Sequence, residues 1–277
     1  MKILHLSDIH YREYYEKTDT GYLSALAMMT SPLVHLEKCF SQIDRSTLDS
    51  VAITGDLCEA GSARDYRILK SFLYKYLRKD LPLIVTLGNH DDKAAFHEGW
   101  DLPMVDSDNK NSPYNSFLDV TGIRIISIDN AILGYPDGAI IPEQFLWLQR
   151  VLQQDANRKV VLILHHHLLN TQADIPSASW DPVFPELLKK HGILGILCGH
   201  THFPYHGDFM GIPYTTAPSM SFQARQVQGK YLRFEENPGY QICHFGNEGM
   251  KVKTIYLYDQ PRYLKTIPLS DFMPIRQ

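Results

Sequence analysis

Six short runs of apolar residues recur along the chain, and each of them ends in a group of polar residues. The runs are KILHLSDIH from Lys2, SVAITGDL from Ser50, PLIVTLGNHD from Pro82, IRIISIDN from Ile123, KVVLILHHH from Lys159 and GILGILCGHTH from Gly192. Their apolar residues are mostly consecutive rather than alternating, and many are β-branched. This pattern is typical of strands that are buried on both faces, as in a sheet covered by helices.

Segments with apolar residues at helical spacing lie between these runs. They cover residues 34–43, 64–77 and 142–152, and the last one begins with Pro-Glu, a common start for a helix. The alternation of strands and helices predicts an α/β architecture.

Beyond Thr201 the pattern changes to short segments in which apolar and polar residues alternate. YTTAPS, GYQICHFG and VKTIYLYD are examples, and glycine and proline residues separate them. They predict antiparallel strands of a second, half-exposed sheet. Because the chain has no Ser/Gly-rich linker, repeat or low-complexity tract, we expect a single domain over residues 1–277.

The composition argues against several classes of protein. Of the 277 residues, 44% are hydrophobic and 21% are charged, as in an ordinary globular chain. A net charge of −4 indicates no basic surface for nucleic acid or an anionic membrane, and no apolar run reaches the roughly 18 residues that span a bilayer. The four cysteines lack CxxC spacing and the N-terminus lacks a signal peptide, so the sequence predicts a cytoplasmic protein. It leaves homo-oligomerisation open.

Chemically active side chains cluster where the apolar runs end. They are Asp8, His10, Asp56, Asn89, His90, the triplet at 165–167, His200 and His202. The carboxyl ends of strands in an α/β sheet form the crevice where ligands bind, so we expect these groups to meet there. Asp, Asn and His suit divalent ions such as Mn, Fe or Zn. Seven such side chains are more ligands than one ion uses when it keeps coordination positions open for substrate. They fit two ions that share one carboxylate.

Each motif has an ordinary structural alternative when it is taken alone. Asp8 fits a turn or a helix cap, Asn89 fits a turn with positive φ, and a lone histidine at a strand end is more often a hydrogen-bonded surface residue. Asp91 also fits a helix cap. The five motifs together, each at the end of a predicted strand, favour the metal site.

The motif order SDIH, GDL, GNHD, HHH and GHTH resembles the calcineurin-like metallophosphoesterase superfamily, whose motifs are D-x-H, G-D, G-N-H-D, H and G-H-x-H. IDNAILGYPDGAIIPEQFLWLQRVL, MGIPYTTAPSMSF and PGYQICHFG resemble segments of the bacterial class III cyclic nucleotide phosphodiesterases and glycerophosphodiesterases. The resemblance implies a four-layer α/β/β/α sandwich, in which two mixed β-sheets pack face to face between helices.

The resemblance also implies a ligand set for two divalent ions, which could be Mn, Fe, Zn or Co. The first ion would bind Asp8, His10, His202 and the bridging Asp56. The second ion would bind Asp56, Asn89, His200 and one histidine of the triplet. His165 holds the family position, His167 stands where the family usually has proline, and His166 is the alternative ligand.

His90 has a different implied role, because its neighbour Asn89 is the ligand. In the family this histidine stabilises charge on the phosphoryl group or protonates the leaving alkoxide, and an imidazole suits either task near neutral pH. Asp91 could orient it.

The implied activity is metal-dependent hydrolysis of a small phosphate ester, most directly of phosphodiesters or cyclic nucleotides. The alternatives are a nuclease or phosphomonoesterase of the same superfamily, and a non-catalytic metal-binding scaffold. The negative net charge argues against a nuclease, and the sequence has lost none of the ligands that scaffolds typically lose. Substrate specificity would depend on the loops at 11–32, 98–115 and 223–228.

Overall fold

The structure is a computed structural model that describes residues 1–15, 17–77, 80–103, 112–246 and 248–272. Part of the loop at 98–115, expected to influence specificity, therefore lies outside the described residues. The strands are β1 Lys2–Leu6, β2 Ser50–Thr54, β3 Leu83–Thr86, β4 Ser116–Val120, β5 Ile123–Ser127, β6 Lys159–Ile163, β7 Ile193–Cys198, β8 Tyr205–Phe209, β9 Ile212–Thr216, β10 Gln223–Val227, β11 Tyr231–Glu236, β12 Gly239–Gly246, β13 Gly249–Tyr256 and β14 Arg262–Pro268. The helices are α1 Gly21–Leu26, α2 Pro32–Gln42, α3 Ala63–Tyr76, α4 Lys93–Gly99, α5 Pro142–Gln153 and α6 Phe184–Lys189, with 3₁₀ turns at Arg45–Thr47 and Leu269–Phe272.

Two large mixed sheets contain all six predicted buried runs. The first sheet has the order β13-β12-β1-β2-β3, and β1, β2 and β3 are parallel. The second has the order β4-β5-β6-β7-β9-β8, and its four central strands are parallel. The predicted mixed α/β class with two sheets between helices is therefore confirmed.

The two sheets pack face to face through an apolar layer. Ile3 and Ala52 of the first sheet and Ile125, Val161 and Leu197 of the second belong to one buried cluster. Burial of one such aliphatic side chain contributes about 1.5–3 kcal/mol relative to exposure, so this layer fixes how the sheets face each other.

Helices cover the outer face of each sheet. Helix α3 buries Leu69 and Leu73 against the first sheet, and a capping box between Ser62 and Asp65 fixes its first turn. Helix α5 buries Leu148 and Leu152 against the second sheet. The four layers follow from these contacts.

The strands beyond Thr201 correct one prediction. The segments YTTAPS, GYQICHFG and VKTIYLYD were expected in one antiparallel sheet, but β9 pairs with β7 in parallel, whereas β12 and β13 extend the first sheet. Strand β12 places Cys243 opposite Ile3 and buries it between the sheets. Alternation along a strand shows which residues are buried but not which sheet the strand joins.

A third, smaller sheet has the order β10-β11-β14. It forms its own apolar cluster with α1, which includes Leu26, Phe222 and Phe234. We refer to α1, Phe222, β10, β11, β14 and the 3₁₀ turn Leu269–Phe272 as the cap. None of the described helices has the length and apolar character needed to cross a bilayer.

Candidate metal centre

The predicted site residues follow the carboxyl ends of β1, β2 and β3 in one sheet and of β6 and β7 in the other. Backbone hydrogen bonds tie these loops to one another. The Asp8 amide donates to the Gly55 carbonyl at 3.1 Å, and the Gly199 amide donates to the His165 carbonyl at 2.9 Å. The facing sheets thus bring five loops to one edge of the sandwich.

The backbone at this edge is held in an unfavourable conformation. Five of the ten non-glycine residues with positive φ in the described chain are predicted ligands: Asp8, His10, Asp56, His200 and His202. Each such residue costs on the order of 1–3 kcal/mol and persists only where its surroundings impose it. The strain is concentrated where the side chains must converge.

Two positions before predicted ligands require glycine, because other side chains approach the backbone too closely there for a Cβ atom. A Cβ at Gly55 would lie 2.3 Å from His165 Nδ1, and a Cβ at Gly88 would lie 2.1 Å from Asp56 Oδ1. Larger residues at these positions would push two predicted ligands away from the centre.

Asp8, His10, Asp56 and His202 form the first ligand cluster, in which one donor atom of each side chain lies within 4.8 Å of the others. The His10 Nε2 atom lies 3.4 Å from Asp56 Oδ2 and 3.1 Å from His202 Nε2. His202 Nε2 also lies 3.5 Å from Asp8 Oδ1. These are the four residues expected around the first ion.

The hydrogen bonds behind the two imidazoles show why this cluster suits a cation. His202 Nδ1 donates to the Phe222 carbonyl at 2.6 Å, and His10 Nδ1 lies 2.7 Å from Glu59 Oε2. Burial lowers the pKa of His202 to about 4, although Asp8 opposes this shift. Because both Nδ1 protons are engaged, the two Nε2 atoms need either a shared proton or a shared metal ion between them.

His165, Asn89 and Asp56 meet in a second group. His165 Nε2 lies 3.2 Å from Asn89 Oδ1 and 3.4 Å from Asp56 Oδ2, while its Nδ1 donates to the Thr54 carbonyl at 2.7 Å. Burial alone would lower the pKa of His165, but Asp56 and Asp8 raise it to about 9. A metal ion bound here would displace the proton that His165 Nε2 shares with Asp56.

His200 lies beside this second group. It contributes one ring nitrogen to a cluster with His165 and His166 in which these atoms lie within 4.8 Å of one another. Its Nε2 donates to the Pro136 carbonyl at 2.9 Å, which leaves Nδ1 as the free ligand atom.

The three histidines of the triplet have different surroundings. His165 faces Asp56 and Asn89, whereas the His166 ring packs 4.1 Å from the His200 ring. His166 and His167 are fully buried, and burial lowers the pKa of each imidazole below its usual value. Of the three, His165 is the one directed at Asp56.

Sequence reasoning missed Glu59, which links two predicted site residues. Its carboxylate is buried and lies 2.7 Å from His10 Nδ1 and 3.0 Å from His90 Nδ1, and it accepts a hydrogen bond from the Tyr22 hydroxyl at 3.0 Å. Burial would raise the pKa of Glu59, but His90 and His10 hold it well below its usual range. The available signal was a glutamate three residues after Asp56 in an apolar stretch.

The hydrogen bonds of Asp91 differ from those expected if it oriented His90. Its carboxylate accepts hydrogen bonds from the backbone amides of Leu57, Cys58 and Gly88 at 2.9–3.0 Å and from the Tyr66 hydroxyl at 2.8 Å. Asp91 therefore ties the GDL loop to the GNHD loop, and Glu59 forms the hydrogen bond that orients His90. The cap of α4 is the next residue, Asp92.

His90 lies at the wall of a cavity of about 800 Å³. Burial would lower its pKa, but Glu59 and Asp56 raise it to about 10. The cavity is lined by His10, Asp56, Asn89, His200 and His202 and by cap residues. The arrangement provides an anionic cluster suited to cations, an adjacent imidazole and space for a ligand.

Comparisons of the sequence agree with these features. The family model described as calcineurin-like phosphoesterase matches residues 1–204. A probable cyclic nucleotide phosphodiesterase from Rhodococcus erythropolis is 27% identical over 97% of this chain and 83% of its own length. A glycerophosphodiester phosphodiesterase from Enterobacter lignolyticus is 26% identical over 87% of this chain and 84% of its own length.

The solved structures share the fold at low sequence identity. A purple acid phosphatase from yellow lupin matches with a TM-score of 0.61 and 14% identity, and the alignment covers 98% of this chain and 54% of that protein. At this identity the similarity concerns the fold alone.

Proposed function

The chain belongs to the calcineurin-like phosphoesterase family, hydrolases of phosphoric ester bonds, and we propose that it cleaves small phosphodiesters at a centre of two divalent ions. The names of the relatives from Rhodococcus and Enterobacter support phosphodiesters as the substrate class. The observation that carries the proposal is the cluster of Asp8, His10, Asp56 and His202, with donor atoms within 4.8 Å of one another.

We assign the first ion to this cluster and the second ion to the group around His165. The second ion would be held by Asp56, Asn89, His165 and His200, with Asp56 shared between the two. The facing Nε2 atoms of His10 and His202 support the first assignment, because a metal ion bound by both nitrogens would satisfy them. Divalent ions bound in this way supply Lewis-acid activation of water and of the phosphoryl oxygens.

The remaining residues position and protonate the substrate. Glu59 holds His90 through Nδ1, so that Nε2 is the atom available to a ligand in the cavity. From there His90 donates a proton to the leaving alkoxide or a hydrogen bond to a phosphoryl oxygen. Phe222 packs against the rings of His10 and His202, with ring centres 5.1 and 4.5 Å apart, and so supports their orientation.

Metal content and hydrolysis together test the proposal. After incubation with Mn and gel filtration, elemental analysis should find about two ions per chain, and the protein should hydrolyse bis-p-nitrophenyl phosphate. Asp56→Asn should lose both properties because it removes the shared charge. Asp208→Asn changes an exposed carboxylate on β8 and is the matched control.

The same assay separates the alternatives. Faster cleavage of p-nitrophenyl phosphate than of any diester would favour a phosphomonoesterase, and cleavage of single-stranded DNA would favour a nuclease. Bound metal without hydrolysis of any ester would indicate a scaffold, and absence of bound metal would refute the centre itself. The identity of the metal and the cytoplasmic location stay predictions.

A further inference from the structure

Part of the wall of the cavity comes from the cap. Phe222, Arg225, Leu232, Leu269 and Phe272 line it, and all of them lie beyond residue 204, where the family match ends. These residues line the cavity together with the predicted ligands, so they are placed to contact the parts of a substrate that extend from the candidate centre.

Arg225 is the cationic side chain of that wall. It is exposed on β10, an edge strand of the small sheet, and its guanidinium carbon lies 4.2 Å from the centre of the Phe203 ring. Phe203 directly follows the predicted ligand His202, and both Phe203 and Arg225 line the cavity. The guanidinium thus lies over a ring whose backbone neighbour is the predicted ligand His202.

The charge of Arg225 is not neutralised within the described chain. In the β10–β11 pair it lies directly opposite Arg233, an arrangement that is unfavourable for two like charges. Arg233 is compensated by Glu235, whose carboxylate lies 2.7–2.9 Å from its guanidinium nitrogens. No described carboxylate forms an ion pair with Arg225, and Asp174, the exposed carboxylate of the cavity, has no ion-pair partner there either.

A guanidinium that lies over an aromatic ring can still use its N–H groups for hydrogen bonds. Its edge presents paired N–H donors that match two oxygens of a phosphate. The cavity of about 800 Å³ lies in the upper part of the roughly 300–1,000 Å³ range of ligand sites. A volume of this size accommodates a substrate that carries two phosphate groups, and both Arg225 and the predicted ligands line it.

We propose that Arg225, stacked on Phe203, binds a second phosphate of the substrate. The substrate class is then a phosphodiester with an additional phosphate monoester on one of its arms, such as a nucleotide ester that carries a further phosphate. This inference rests on the proposed phosphodiesterase activity and specifies its substrate.

Two chromogenic esters that differ by one phosphate test it. The first is the p-nitrophenyl ester of thymidine 5′-phosphate, and the second is the same ester with a phosphate on the 3′ oxygen. The Mn-loaded wild-type protein should prefer the second ester in kcat/KM. Arg225→Gln should lower kcat/KM for the second ester by about tenfold or more, as expected for loss of a charged hydrogen bond, mainly through KM. The first ester should change by less than about twofold.

Matched variants separate recognition from packing. Arg233→Gln removes the arginine directly opposite, which does not line the cavity, and should leave the ratio of the two esters unchanged. Arg225→Lys keeps the positive charge but lacks the paired N–H donors of the guanidinium. It should therefore retain part of the preference for the ester with the second phosphate.

Two results would overturn the inference and leave the phosphodiesterase proposal standing. One is equal hydrolysis of both esters by the wild type, and the other is an Arg225→Gln variant that affects both esters equally or changes only thermal stability. In the latter case Arg225 merely covers the Phe203 ring. If the Mn-loaded wild type hydrolyses neither these esters nor bis-p-nitrophenyl phosphate, the proposed function itself fails.

Discussion

At the scale of single residues, Glu59 connects a predicted metal ligand to the predicted acid. One carboxylate oxygen faces His10 Nδ1 and the other faces His90 Nδ1. We expect Glu59→Gln to lower kcat/KM or metal affinity by about 10–100-fold. This is the usual effect of removing the hydrogen-bond partner of a metal-binding histidine. Glu248→Gln, at an exposed carboxylate paired with Lys251, is the control. A Glu59→Gln protein with wild-type rate and metal content would show that Glu59 only supports the loop.

The histidine triplet gives a second prediction at this scale. His165→Ala should remove one of two ions and nearly all activity, because His165 faces Asp56 and Asn89. His167→Ala should leave metal content unchanged and activity within a few-fold, and elemental analysis with a diester assay measures both. An inactive His166→Ala protein beside an active His165→Ala protein would move the ligand by one residue.

The sequence predicted well which side chains meet at the site. It predicted less well which contacts hold them there. The groups named at the strand ends do lie together, because apolar runs show where strands end and parallel strands bring those ends to one edge. Their roles as ligands stay predictions. Glu59 was missed because its contacts depend on the turn after Asp56, and Asp91 was given the orienting role because it is next to His90 in sequence.

At the scale of elements, a buried ion pair joins α4 to the loop after β5. Lys93 Nζ lies 2.7 Å from Asp129 Oδ2, and both side chains are almost fully buried. Removing one partner leaves an uncompensated buried charge, so Asp129→Asn should reduce the free energy of unfolding by about 3–5 kcal/mol. Urea unfolding measures this, and Glu186→Gln, in an exposed pair with Lys189, should cost less than about 1 kcal/mol. The double variant Lys93→Met, Asp129→Leu should recover part of the loss, and no recovery would mean that packing, not charge, dominates.

Elements differed in how well the sequence predicted them. The six buried runs were predicted because their apolar residues are consecutive and often β-branched, and the helices α2, α3 and α5 were predicted because their apolar residues recur at helical spacing. The helices α1, α4 and α6 have only six or seven residues, too few for a helical period to stand out. The sheet that each C-terminal strand joins depends on contacts with distant strands, which the local pattern does not contain.

At the scale of the whole molecule, the sandwich of two sheets followed from the family resemblance and not from periodicity. The cap was not predicted as a structural unit: the segments 11–32 and 223–228 were expected to be loops that influence specificity, but they contain α1 and β10. Its cluster forms between α1 near residue 25 and strands after residue 222, so no local segment reveals it. Because the cap supplies part of the wall of the cavity, the part of the fold least visible in the sequence is the part expected to select the substrate.

A buried histidine that joins three strands makes the stability of the whole molecule depend on pH. His5 on β1 donates from Nδ1 to Gln241 of β12 at 3.2 Å and accepts at Nε2 from Thr54 of β2 at 2.9 Å. Burial lowers its pKa to about 3, although Gln241 opposes the shift. The unfolded chain, with an ordinary pKa near 6.5, therefore binds a proton at His5 below about pH 6.5 that the folded protein does not bind until about pH 3. The stability that His5 contributes is present above pH 6.5 and is lost as the pH falls through this window, by about 1.4 kcal/mol per unit.

His5→Gln keeps a polar side chain at this position but cannot be protonated. In the presence of a chelator, the difference in the free energy of unfolding between wild type and His5→Gln should shrink by about 1.4 kcal/mol between pH 7.5 and 5.5. His244→Gln, on the exposed face of β12, is the control for a histidine outside the core. Urea unfolding at several pH values gives these differences directly. A difference that stays constant over this range would mean that folded His5 accepts a proton as readily as the unfolded chain, and that the contact between β1, β2 and β12 opens enough to solvate it.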